Sequence, residues 1–486
     1  MVLKNPANET NEFSRLISSY IESSGYSVYK ISQITGLGRT AIHQVMSGKL
    51  TPTRTFFEQL CTVLQITPKQ KNELTELYLK EKIGTKLYYE QKNLISIIEK
   101  LPQYYIDYES SFDCHSNISM EYKTFISGLL NINRIIIDII DKETKRPSPE
   151  IYTTIPFDNA TLFDLIIQYL AKGKSNIIFE HYIRMYKSSE NSLRHNMDIL
   201  EKLLKMSINS SVVYKPYSYY IHEDAVDDVL PIYPYSLVTS EYVVMIASDF
   251  KTAVIINDVN IICSAREHIN KLKAISSPMI EIIDKSRMYD IFFESTRLYF
   301  KSVEFQPCLT KYLTFDIIKE RLLSIPGRED LIDSIEKSFF TEEELKKTFS
   351  QKAICYYSLK GLKNFTQTGL MLNMPGNLLN ALSITERLFV LNEFKKDIGK
   401  DYKMIDTNKL NIPEFIQVIL LKNQKCLISC LMKEKNFCCI LSEQSLFSAF
   451  YEFINDLEDR CFVLNDDEAK ESLDKCICYL EELRNQ

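Results

Sequence analysis

The sequence predicts a multidomain protein: an all-α head of five short helices, followed by a large α/β (α+β) body whose pattern fits two related lobes. Three observations predict this. The chain has 486 residues, more than one ordinary domain holds. Residues 10–80 carry apolar side chains at helical spacing, punctuated by glycine and proline. From about residue 113, extended apolar runs of strand length alternate with amphipathic helical stretches. Composition agrees with folded domains: 45% of residues are hydrophobic and 25% charged, which excludes disorder and low-complexity classes. The formal net charge of −6 excludes a chain that coats polyanions along its whole length. Only 12 glycines are present, which argues against repeated glycine-rich phosphate loops.

In the head, Phe13, Leu16, Ile17, Tyr20 and Ile21 form one apolar face of a first helix that ends near Gly25. Ser27 caps a second helix over 28–35, with Val28, Ile31 and Ile34 inward, and Gly36 supplies the left-handed residue that reverses the chain. Leu37 plugs the turn. A third helix over 39–46 turns Ile42 and Val45 to the core, which leaves Arg39, Thr40, His43 and Gln44 outward. The run Ser47-Gly48-Lys49-Leu50-Thr51-Pro52 then forms a loop, and Phe56, Phe57, Leu60, Cys61 and Leu64 mark a fourth helix. Thr67-Pro68-Lys69-Gln70 opens a fifth with a capping box and proline at its first position.

The stretch YSVYKISQITGLGRTAIHQVMSGKLTPTRTFFEQLCTVL, residues 26–64, resembles the Cro/C1-type helix-turn-helix domains, the XRE family of bacterial and phage regulators. Helix, glycine turn, second helix, small-residue-plus-glycine loop, proline and following helix occur in the family's order, over about 70 residues. Lys30, Ser32, Gly38 and Ser47 depart from its commoner residues. The resemblance implies that Arg39, Thr40, His43 and Gln44 enter the major groove of double-stranded DNA, where Arg forks onto guanine and Gln onto adenine. It also implies that Val28, Tyr29, Lys30, Lys49 and Arg54 lie at the phosphate backbone. Charge is compatible: up to residue 82 there are ten Lys/Arg against seven Asp/Glu, a surplus of three, so the rest of the chain is about −9. A homodimer is expected, because paired heads read two half-sites.

Residues 1–82 are thus read as the DNA-binding head and 83–145 as a helical connector interrupted at Pro102. Residues 146–345 are read as an α/β sensory lobe, and 346–486 as a second α/β lobe. In the connector, Leu94, Ile95, Ile97 and Ile98 suit packing on the head or on a second copy. Strands are expected at 176–179, 211–214, 242–246 and 253–256, and helices at 161–170 and 265–272. Two echoes suggest an internal repeat. Residues 241–272 and 425–457 both read strand, turn, strand, turn, helix, and Thr154-Ile155-Pro156 resembles Asn373-Met374-Pro375.

The search for chemistry returns no catalytic residue, metal set or cofactor motif. The six histidines are scattered, Cys476-Ile477-Cys478 has no matching pair, and neither a G-x-S-x-G elbow nor a P-loop occurs. The two-lobed outline resembles phospholipase D-type repeats in a general way but lacks their H-x-K-x4-D signature. The 12 cysteines sit in apolar surroundings and read as reduced thiols. Tyr217, Tyr219 and Tyr220, with Tyr233 and Tyr235, form either ordinary half-buried sheet packing or a ligand wall. With no signal peptide and no membrane-length apolar run, the expected place is the cytoplasm. The expected function is transcription regulation, with a body that senses a small molecule or peptide or mediates assembly. The alternatives are an enzyme with a DNA-binding head and a phage-repressor or antitoxin-like protein-interaction module.

Overall fold

The computed structural model describes residues 11–104, 124–172, 177–187, 192–209, 213–222, 232–284, 287–288, 291, 295, 298–322, 332, 353–373, 379–431, 436–459 and 462–486. An N-terminal helical region precedes a large α/β body with two mixed sheets. The chain divides into two compact units: Met1–Asn93 with Asn455–Val463, and Leu94–Ile454 with Leu464–Gln486.

The first unit holds α1 (Glu12–Ser23), α2 (Val28–Thr35), α3 (Arg39–Met46), α4 (Arg54–Val63) and α5 (Pro68–Ile83). Their starts follow local chemistry. Asn11, Ser27, Thr53 and Thr67 each accept a backbone N–H through the side chain, and Thr67 with Gln70 closes the capping box. Phe13, Ile17, Ile21, Ile31, Ile42, Val45, Phe57, Leu60, Leu74 and Tyr78 make one buried core. The rings of Phe57 and Tyr78 stack at 4.4 Å.

Ile34 departs from expectation, being 51% exposed. Three positions beyond Ile31 it lies about 60° off the buried line, and α2 ends before another turn can cover it. α6 (Thr85–Lys100) follows. Its Leu94, Ile97 and Ile98 are buried within the single chain, which leaves those three side chains unavailable to a second copy.

In the second unit, β1 (Phe125–Ser127), α7 (Leu129–Thr144), β2 (Glu150–Thr153), α8 (Ala160–Lys172), β3 (Ile178–Lys187), α9 (Ser192–Asn209) and β4 (Val213–His222) come first. β5 (Tyr235–Val238), β6 (Val243–Ile246), β7 (Thr252–Ile256), α10 (Val259–Ile275) and β8 (Ser277–Pro278) complete the first sheet. Its order is β1-β7-β6-β5-β2-β3-β4-β8.

The second sheet has β9 (Ile280–Ile282), β10 (Tyr299–Glu304), β11 (Ile354–Ser358), β12 (Tyr402–Ile405), β13 (Ile416–Leu421), β14 (Lys425–Leu431) and β15 (Asn436–Leu441). Its helices include α11 (Phe315–Arg321), α12 (Leu359–Thr368), α13 (Ile384–Lys395), α14 (Gln444–Asn455) and α15 (Asp466–Arg484). Read from its other edge, the order is β9-β15-β14-β13-β10-β11-β12.

The two orders are the same strand for strand, β8 aside. In both, the two pairings beyond the first central strand are parallel and the rest antiparallel. The first echo of the sequence falls on equivalent elements, β6-β7-α10 and β14-β15-α14.

The second echo is displaced. Thr153 pairs with Leu237 and His181, and Glu304 pairs with Gln417 and Tyr357, so the counterpart of Pro156 is Pro307, three residues after the strand end in each case. The expected lobe boundary at 345/346 moves for the same reason. β9 and β10 hydrogen-bond into the second sheet, so the changeover lies between β8 and β9. Likewise β1 and α7, expected in the connector, belong to the first sheet, where β1 pairs with β7.

Candidate nucleic-acid interface

The outward face of α3 is set by the turn that precedes it and by its anchors to α1. Gly36 adopts φ +75° and its N–H donates to the Ser32 carbonyl at 2.9 Å, ending α2. Ser32 Oγ donates to the Leu37 carbonyl at 2.6 Å, which ties the turn back onto the helix it follows. α3 starts at Arg39, and its far end is anchored to α1: Ser14 Oγ donates to the Val45 carbonyl (2.8 Å) and Ser18 Oγ to that of Met46 (3.2 Å). Ile42 and Val45 are fully buried. The helix therefore cannot roll, and Arg39, Thr40, His43 and Gln44 are all exposed on its outer side. Gln44 also closes the following loop, its carbonyl accepting from the N–H groups of Lys49 and Leu50.

The residues expected at phosphates divide. Tyr29, Lys30 and Lys49 are exposed, while Val28 is half-buried against the core. Arg54 is engaged elsewhere in its unit. Its Nε donates to Glu58 at 3.1 Å, Nη1 to the Glu458 carbonyl and Nη2 to the Val463 carbonyl at 3.5 Å. Lys82 Nζ donates to the Asp459 carbonyl at 3.4 Å. A guanidinium held on three sides is a tie for the Asn455–Val463 segment and has little left for a phosphate. No pattern near Arg54 announces a segment 400 residues on.

Tyr29 is placed unexpectedly as well. The guanidinium carbon of Arg39 lies 5.4 Å from the centroid of its ring, and Gln33 Nε2 donates to its hydroxyl at 2.9 Å. The i, i+4 spacing of Tyr29 and Gln33 was the available signal.

The five tyrosines of the expected ligand wall do not converge. Tyr217 and Tyr219 share one face of β4 and pack on the cluster under α10 with Tyr152, Tyr182 and Ile269. Tyr217 stacks on Tyr182 at 5.3 Å. Tyr220, one residue on, points to the opposite face and donates to Glu443. Tyr233 is half-buried. Tyr235 stacks on Phe250 at 5.3 Å, in β5, which β2 and β3 separate from β4.

What the face under α10 holds is a polar network. Tyr152 donates to Glu150 (2.9 Å), Tyr182 to Glu180 (2.6 Å), and Lys273 to Glu180 (2.7 Å). Burial first, then the Glu180 carboxylate, pushes the Tyr182 phenol up. The repeated Glu-x-Tyr of adjacent strands, 150–152 and 180–182, was legible and was missed.

Among the described residues, no cluster of three or more His, Cys, Asp or Glu could hold a metal ion, and no helix is long and apolar enough to cross a membrane. No family model matches the chain, and no curated protein matches it. A solved structure is similar at 12% identity and a TM-score of 0.21, covering 55% of this chain and 94% of its own: "Structure of TrmBL2, an archaeal chromatin protein, shows a novel mode of DNA binding".

Proposed function

We propose that the chain is a sequence-specific DNA-binding transcription regulator of the Cro/C1 class, acting as a homodimer. The observation that carries the reading is α3 itself: an eight-residue helix, locked on its inner side, that presents Arg39, Thr40, His43 and Gln44 together on its outer side. Arg offers a planar fork matched to guanine O6 and N7, Gln a donor–acceptor pair matched to adenine N6 and N7, and each such pair discriminates by roughly 1–3 kcal/mol. Lys30 and Lys49, both exposed, supply the sequence-independent attraction to phosphate. The basic surplus of the head and the acidic balance of the body favour contact through the head alone. The body, large beside its head, is assigned sensing of a small molecule or peptide, or assembly. No reaction is assigned to it.

The test is selection of bound duplexes from a randomised pool by the full chain. The expected result is a short enriched motif in two half-sites about one helical turn apart. A pool that emerges without any preferred sequence overturns the reading.

A further inference from the structure

We infer that Tyr29 is a positioning residue for base readout: its ring holds the Arg39 guanidinium at the entrance of the recognition helix, and Gln33 fixes the ring. The inference rests on the DNA reading above and deepens it. Tyr29 is the second residue of α2 and Arg39 the first of α3, so the pair bridges the glycine turn and joins the two helices on their outer side. Tyr29 is 55% exposed, so core packing does not account for its placement. It is held instead by Gln33, whose Nε2 donates to the phenol oxygen at 2.9 Å, and it carries Arg39 at 5.4 Å from its centroid.

Among the described residues, Arg39 forms no ion pair, and the Tyr29 ring is the contact that holds its guanidinium. A free arginine samples many rotamers and must be ordered when it meets a base. One already resting on a ring meets the base with less to lose, and its planar fork stays available for two parallel hydrogen bonds. An exposed cation–π contact corresponds to about a two- to fivefold preference. This role differs from the phosphate contact that the sequence suggests for Tyr29. A phosphate contact strengthens every duplex alike, whereas a positioning contact strengthens only the duplexes with the right base under Arg39.

The experiment is the randomised-duplex selection run with the full-length wild type, Arg39→Ala, Tyr29→Ala and Tyr29→Phe, with thermal melts to compare folding. Arg39→Ala identifies the base position that Arg39 reads. Tyr29→Ala is expected to weaken preference at that same position about two- to fivefold and leave the other positions unchanged. Tyr29→Phe, which keeps the ring and loses the Gln33 bond, is expected to retain most of it. Uniform loss of affinity with no change of preference at any position makes Tyr29 a backbone contact and overturns the inference, as does a Tyr29→Ala variant that behaves as wild type. Both outcomes leave the DNA reading standing. A wild type that enriches no sequence removes that reading and the inference with it.

Discussion

His181 shows how a single side chain can record pH without taking part in binding. It is fully buried on β3, its Nε2 donating to the Ile155 carbonyl (2.8 Å) and its Nδ1 accepting from the Tyr214 hydroxyl (3.0 Å). The Phe163 ring stacks on it at 5.3 Å. Desolvation lowers its pKa to about 4, the Ile155 hydrogen bond opposing only in part. The unfolded chain binds this proton near pH 6.5 and the folded one does not, so stability is complete above 6.5 and is lost as pH falls towards 4. The loss amounts to about 3 kcal/mol. Urea unfolding at pH 7 and pH 4.5 is expected to show this drop in the wild type and a smaller one in His181→Gln. Equal drops would mean that His181 is not the group responsible. Nothing in the sequence marks this histidine, because burial at one strand position depends on α8 folding over it. By contrast, Arg39, Thr40, His43 and Gln44 were legible, since two core residues on a short helix fix where the other side points.

At the scale of elements, two glycines distinguish backbone conformation from space. Gly36 has φ +75° and nothing within 4 Å of where a Cβ would stand. Gly361, near the start of α12, would place a Cβ 1.8 Å from the Phe305 carbonyl oxygen. Gly36→Ala therefore meets only the left-handed backbone cost of about 1 kcal/mol, and Gly36→Asn recovers part of it. Gly361→Ala forces α12 off the loop after β10, at a cost of about 3 kcal/mol or more. Urea midpoints should fall in that order, and a Gly361→Ala protein as stable as wild type would contradict the close approach. The turn glycine was readable because an isolated glycine between two short amphipathic helices has few other uses. The packing glycine was not, since its reason lies in the loop after β10, more than 50 residues earlier. The same limit explains the strands: short apolar runs such as 253–256 marked strand positions, while their partners, and so the change from first to second sheet after β8, depend on pairings that no local pattern encodes.

For the molecule as a whole, the division of labour follows from how its parts are built. One unit is small, with an outward helix and a local positive charge; the other is a body of two sheets with the same strand order. The head was legible because four of its five helices carry a capping side chain and the turns between them are marked by glycine or proline. The repeat was half legible. Meander and helix (β6-β7-α10 and β14-β15-α14) are contiguous and left an echo, whereas the parallel strands are separated by long connections whose described helices differ in length. The expected tyrosine wall does not form for a related reason: tyrosines close in sequence stand on β4 and β5, which β2 and β3 separate in the sheet.

Base reading by α3 is the property on which the proposed function stands or falls. The most direct measurement is the ratio of affinities for a selected duplex and its shuffled counterpart, by fluorescence anisotropy, for wild type and for Arg39→Ala with Gln44→Ala. The expected result is a high ratio for the wild type, and a ratio near one for the variant with folding and shuffled-duplex binding retained. A variant that still prefers the selected duplex as strongly as the wild type would contradict it.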